Sequence, residues 1–110
     1  MLNISEANFV SEVVKSSKPV VIDFWASWCM PCQMMGPVFE GVSKLMPDVK
    51  FVKVNVDENQ ELASRFFVSG IPTIIVFKGG VELSRFSGYR DSDNLVASIK
   101  EIIMTDEMND

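Results

Sequence analysis

There is no histidine anywhere in these 110 residues. That absence removes the imidazole on which Ser-His-Asp triads, Cys-His proteases and many zinc centres depend. Cysteine is scarce, with two in the chain. Two thiols cannot complete a four-thiolate zinc site, so a metal centre would need carboxylates or a second chain, and none is expected. Lysine and arginine total 10 against 15 aspartates and glutamates, a formal net charge of −5, and the cations are scattered. Without a basic cluster, nucleic acid is not the expected partner. No run of about 20 apolar residues occurs, and the N-terminal segment with Glu6 and Glu12 lacks the basic start and unbroken apolar stretch of an export signal. A membrane partner is therefore not expected, and the cytoplasm is the default compartment. No linker, internal repeat or low-complexity segment divides the chain. A single domain over 1–110 follows, long enough for a real core, with 105–110 expected as a frayed polar tail.

What the chain does contain is a concentrated signal. Its only two cysteines stand in Trp28-Cys29-Met30-Pro31-Cys32, spaced C-x-x-C. This segment follows the apolar run Val20–Trp25, which reads as a strand buried on both faces, and precedes a helical pattern. In a first helical turn, positions i and i+3 share one face with β-carbons about 5–6 Å apart. A disulfide needs α-carbons about 4.4–6.8 Å apart. Cys29 and Cys32 can thus join or part with little backbone movement. Pro31 suits the first turn, because its φ is preset and its missing N–H would be unpaired there anyway. At the helix N-terminus, unpaired N–H groups and the macrodipole favour an anion, so Cys29 is the expected nucleophile. Cys32, one turn inside and expected to be more covered, would resolve the mixed disulfide. A purely structural bridge is the alternative, but closing so short a loop removes little chain entropy. Inert thiols are the remaining one.

The periodicities predict the order αβαβαββα. Ser5 caps a helix to about Lys15. Val20–Trp25 is followed by a helix from Pro31 to Leu45, with Met34, Met35, Val38, Phe39, Val42 and Leu45 available for packing and Pro37 inside it as a kink. A strand over Phe51–Asp57 and a short helix over Asn59–Phe66 come next. Then Thr73–Phe77 and Val81–Phe86 form a hairpin about Gly79-Gly80. A last helix starts at Asp91 or Ser92. The first half reads as a parallel βαβ unit, and the second as a hairpin with a covering helix.

Asp23-Phe24-Trp25-Ala26-Ser27-Trp28-Cys29-Met30-Pro31-Cys32, together with Gly70-Ile71-Pro72-Thr73, resembles the thioredoxin family over nearly the whole chain. The resemblance implies the thioredoxin fold: α/β, with a central mixed sheet of four or five strands flanked by helices. Asp23, alone among apolar neighbours, should have a pKa raised by desolvation, the alternative being a plain strand-end carboxylate or one paired with Lys53. The matching family aspartate lies beneath the second cysteine and accepts its proton. Lys53 matches the lysine that neighbours this aspartate, though an alternating strand would also place it on a solvated face. Pro72 matches a cis proline that packs against the sulfurs and, with Ile71 at its border, shapes a groove for substrate backbone. Trp28 would be an exposed platform and Trp25 the packing behind it. Pro37 matches the helix-kinking proline. Gly88 matches a glycine that admits a partner closely, while a simple strand-end turn explains it nearly as well. Two positions depart from the family: Met30 replaces its usual glycine, and Gln33 a common cation.

The implied activity is protein disulfide reduction, with Cys29 and Cys32 cycling between dithiol and disulfide. Electrons would come from a separate thioredoxin reductase and pass to client proteins that carry disulfides. No cofactor and a monomeric state are expected. The alternatives are an oxidase or isomerase of the same fold, a non-catalytic binding subunit, and a dimer bridging a metal or iron–sulfur cluster through the two cysteines.

Overall fold

The computed structural model describes residues 1–109. Five strands form one mixed sheet in the order β1-β3-β2-β4-β5. They are β1 (Leu2–Asn3), β2 (Val20–Trp25), β3 (Lys50–Asn55), β4 (Thr73–Lys78) and β5 (Val81–Ser87). β1, β3 and β2 run parallel, whereas β4 is antiparallel to both β2 and β5. Three α-helices accompany them: α1 (Met30–Leu45), α2 (Gln60–Arg65) and α3 (Ser92–Met108). α1 is the crossover between the parallel strands β2 and β3. The Gly79-Gly80 turn has φ of +59° and +80°, the pair of positive values that a type I′ hairpin requires.

The central strand β2 explains the layering. Alternate residues of a strand face opposite sides. Val20, Ile22 and Phe24 join Ile4, Phe9, Val13, Leu62 and Phe77 in one core. Val21 faces the other way, into a core with Met35, Phe39 and Val42 of α1 and Leu95 and Ile99 of α3. Asp23 has the parity of Val21, so it points to the side that α1 and α3 cover.

Four expectations are corrected. A two-residue strand, β1, precedes the first helical segment and was not foreseen. It is too short to show a period, and it exists by pairing with Val52 and Lys53 of β3. The first helix is not an α-helix from Ser5. Val10–Val14 is a π-helical turn in which Lys15 N–H donates to Val10 O at 2.9 Å. Three valines in five residues weaken the α-helical alternative. The stretch 105–110 is not a frayed tail as far as the structure describes it. α3 continues to Met108, with an ion pair from Lys78 to Asp106 at 3.3 Å, while position 110 lies outside the described residues. Within α1, Met34 and Leu45 are exposed rather than packed, because the buried stripe is Cys32, Met35, Phe39 and Val42.

Candidate active site

β2 ends at Trp25, and four residues later Cys29 begins α1. Cys29 is the N-cap: its backbone is extended, with φ −89° and ψ 110°, and its sulfur accepts the Cys32 N–H at 3.3 Å. A cap takes up one of the orphan donors of a helix start, here with sulfur instead of oxygen. Pro31 lies in the first turn. Cys29 and Cys32 are joined as a disulfide with α-carbons 5.2 Å apart. Both are buried, at 5% and 4% exposed. The greater cover expected for Cys32 is thus not a feature of the disulfide. The difference between the two sulfurs lies in the cap geometry instead.

Ala26, Cys29 and Cys32 form a small apolar cluster with Trp25, Val56 and Ile71 packed against it. The Ile71 carbonyl oxygen lies 3.7 Å from Cys29 Sγ. The Ile71-Pro72 peptide is cis. Its loop is pinned by two hydrogen bonds: Thr73 Oγ1 donates to Gly70 O, and Gly88 N–H donates to Pro72 O at 2.9 Å. Gly88 has φ +90°, and a β-carbon there would meet nothing within 4 Å. The backbone conformation requires glycine, and the space beside it is open.

Around this cluster the surface is apolar and exposed. Trp28 is 70% and Met30 71% accessible. The Trp28 ring is nonetheless held, because its Nε1–H donates to Asp57 Oδ2 at 2.8 Å. Asp57 follows β3, and the Asn55 side chain accepts its N–H at 2.9 Å. The Gln33 side-chain amide donates to Ser27 O.

Asp23 is fully buried, and neither carboxylate oxygen has a hydrogen-bond partner. Burial raises its pKa from 3.8 to about 6, and the positive charge of Lys53 offsets part of that rise. Lys53 is its register neighbour on β3. The Lys53 ammonium sits 4.3 Å over the Trp25 ring, a cation–π placement. The structure therefore gathers Cys29, Cys32, Trp25, Ile71 and Pro72 at one end of β2 and β4, with Trp28, Met30, Pro31 and Gly88 about them. Pro37 stands seven residues beyond the start of α1, outside this cluster. Asp57 and Val56 were missed in the sequence. An acid at the end of the expected strand Phe51–Asp57 was the available signal for the first.

A strand-to-helix turn that carries a reversible dithiol in an α/β sheet with a cis-proline loop beside it defines a thiol–disulfide oxidoreductase. A family model described as Thioredoxin matches residues 1–101. A thioredoxin of Alicyclobacillus acidocaldarius is 41% identical over 103 residues, 93% of this chain and 97% of that protein. A thioredoxin of Rickettsia bellii is 40% identical over 102 residues, 92% of this chain and 97% of that protein. A Mycobacterium leprae protein named bifunctional thioredoxin reductase/thioredoxin is 37% identical over 103 residues, 93% of this chain and 22% of that longer protein. The chain belongs to the thioredoxin family. It is a protein disulfide reductase whose active cysteine pair is present here as the disulfide. No helix among the described residues is long and apolar enough to cross a membrane.

Proposed function

We propose that Cys29 attacks and Cys32 resolves, with Asp23 as the proton acceptor of the second step. In the reduced protein, the Cys29 thiolate displaces one sulfur of a client disulfide. A mixed disulfide forms and one client thiolate leaves. Cys32 then gives its proton to Asp23 and attacks Cys29 Sγ. The Cys29–Cys32 bond forms, the mixed disulfide breaks, and the second client thiolate leaves. Two electrons pass from the dithiol to the client, and no cofactor takes part. A carboxyl with a pKa of about 6 is mostly ionised at pH 7, so it can take that proton.

The client segment lies against Trp28, Met30, Pro31, Ile71, Pro72 and Gly88, with Trp25 and Lys53 behind the sulfurs and Pro37 shaping α1. A separate thioredoxin reductase restores the dithiol. The name of the Mycobacterium leprae relative, which joins the two activities in one chain, supports that pairing. We assign the chain to the cytoplasm as a monomeric single domain.

The observation that carries this reading is the Cys29 cap, which aims the Cys32 N–H at the sulfur of Cys29. A trapping experiment tests it. The Cys32→Ser variant should accumulate mixed disulfides with insulin, and the Cys29→Ser variant none. Equal trapping by both would overturn the order of attack.

A further inference from the structure

Phe67 is the one non-glycine residue at positive φ among the described residues, at +55°. It closes α2 as the C′ residue of a Schellman motif. Phe67 N–H donates to Ser64 O at 3.0 Å, and Val68 N–H donates to Ala63 O at 2.9 Å, the two bonds that define that cap. Glycine is the usual occupant, because a β-carbon is strained there. The phenylalanine recovers little of that strain through packing. Its neighbour Phe66 stacks with Phe9, Phe24 and Phe77, whereas the Phe67 ring belongs to no aromatic pair and is 86% exposed. A strained backbone that holds an unpacked ring in water points to a use outside the folding core.

The ring borders a surface groove floored by Val56, Ala63 and Val68, and rimmed by Gln60, Ser64 and Ser69. No charged side chain lines it. Val56 belongs to two surroundings at once: it lines this groove, and it packs on the Ala26–Cys29–Cys32 cluster. The groove and the disulfide cluster therefore share the Val56 side chain as a common wall. We propose that Phe67 is a specificity-determining residue, gripping an uncharged apolar side chain of the same client polypeptide whose disulfide Cys29 attacks. The proposal rests on the disulfide reductase reading.

The test uses Phe67→Gly and Phe67→Asn, both compatible with positive φ, and dithiothreitol as the electron source. Insulin serves as the polypeptide client and 2-hydroxyethyl disulfide as a small polar one. With insulin, kcat/KM should fall about threefold to tenfold in both variants, carried by KM, as expected for one lost apolar contact. With 2-hydroxyethyl disulfide it should stay at the wild-type value. The denaturation midpoint of Phe67→Gly should match or exceed that of the wild type, which separates lost contact from lost fold. An unchanged KM for insulin would overturn the proposal. So would a loss seen only when a thioredoxin reductase supplies the electrons, or a wild-type dimer that dissociates in the variants, since these assign the ring to other partners. A wild type inactive on insulin would instead remove the reductase reading itself.

Discussion

Asp23 and Lys53 are register neighbours on β2 and β3, yet the ammonium rests 4.3 Å over the Trp25 ring while both carboxylate oxygens stay unpartnered. A carboxylate in contact with the lysine would be held ionised and would be a weak base. Kept apart from it in an apolar site, Asp23 retains a pKa of about 6, near the operating range for proton transfer.

The same isolation makes stability depend on pH. The unfolded carboxyl ionises near 3.8 and the folded one near 6. Below both values the two states carry the same proton and nothing is lost. As pH rises between them, the unfolded state releases its proton first and the fold is penalised. Above about 6 the penalty is complete, at about 3 kcal/mol. In urea titrations of the oxidised protein, stability should fall by roughly this amount from pH 3 to pH 7 and then level. Asp23→Asn should remove the slope and be about 1 kcal/mol more stable at pH 7, its buried amide offsetting part of the gain. A wild-type curve that rises over this window would refute the assignment.

Brief treatment of the reduced protein with iodoacetamide at neutral pH should alkylate Cys29 in preference to Cys32. The cap position gives Cys29 the helix dipole and the Cys32 N–H, both of which favour the thiolate. Peptide mass mapping reads the site, and preferential labelling of Cys32 would reverse the two roles.

Gln33 ties its amide to Ser27 O and offers the sulfurs no charge. Gln33→Lys should stabilise the Cys29 thiolate by about 0.3–1 kcal/mol, which favours the reduced form. For a two-electron couple that raises the potential by about 6–20 mV. Equilibration against a glutathione buffer measures it, and a shift in the reducing direction would contradict the electrostatic account. Met30→Gly in the same buffer reports what the better helix former at that position contributes.

Gly80→Ala should destabilise the fold by about 1–2 kcal/mol, because its φ of +80° disfavours a side chain. The added β-carbon would also come within 3.0 Å of Val14 Cγ1. Chemical denaturation gives the value. A neutral effect would mean that the hairpin turn and the Val14 segment yield freely.

Much of the site was legible because it is local. The C-x-x-C spacing, Pro31 and the buried run before them are neighbours in the chain, and the geometry of a first helical turn follows from that spacing alone. The Gly79-Gly80 hairpin was readable for the same reason. The last helix was misjudged at its end, where the neighbour is tertiary: Asp106 meets Lys78. Ion pairs between elements leave no period in a sequence.

By itself, then, the sequence determined the chemistry: two thiols at bridging distance on a helix start, and one acid among apolar residues. The tertiary structure decided what surrounds them. The Ile71 carbonyl reaches Cys29 from 42 residues away, and Asp57 takes the Trp28 N–H from 29 residues away. Lys53 is drawn to the Trp25 ring, and Phe67 is turned outward at a helix cap whose neighbour Phe66 points in. Short-range spacing is set by covalent geometry and helix pitch. Which distant group fills the space beside a sulfur or a carboxylate is set by how β2, β3 and β4 register and by what packs across them.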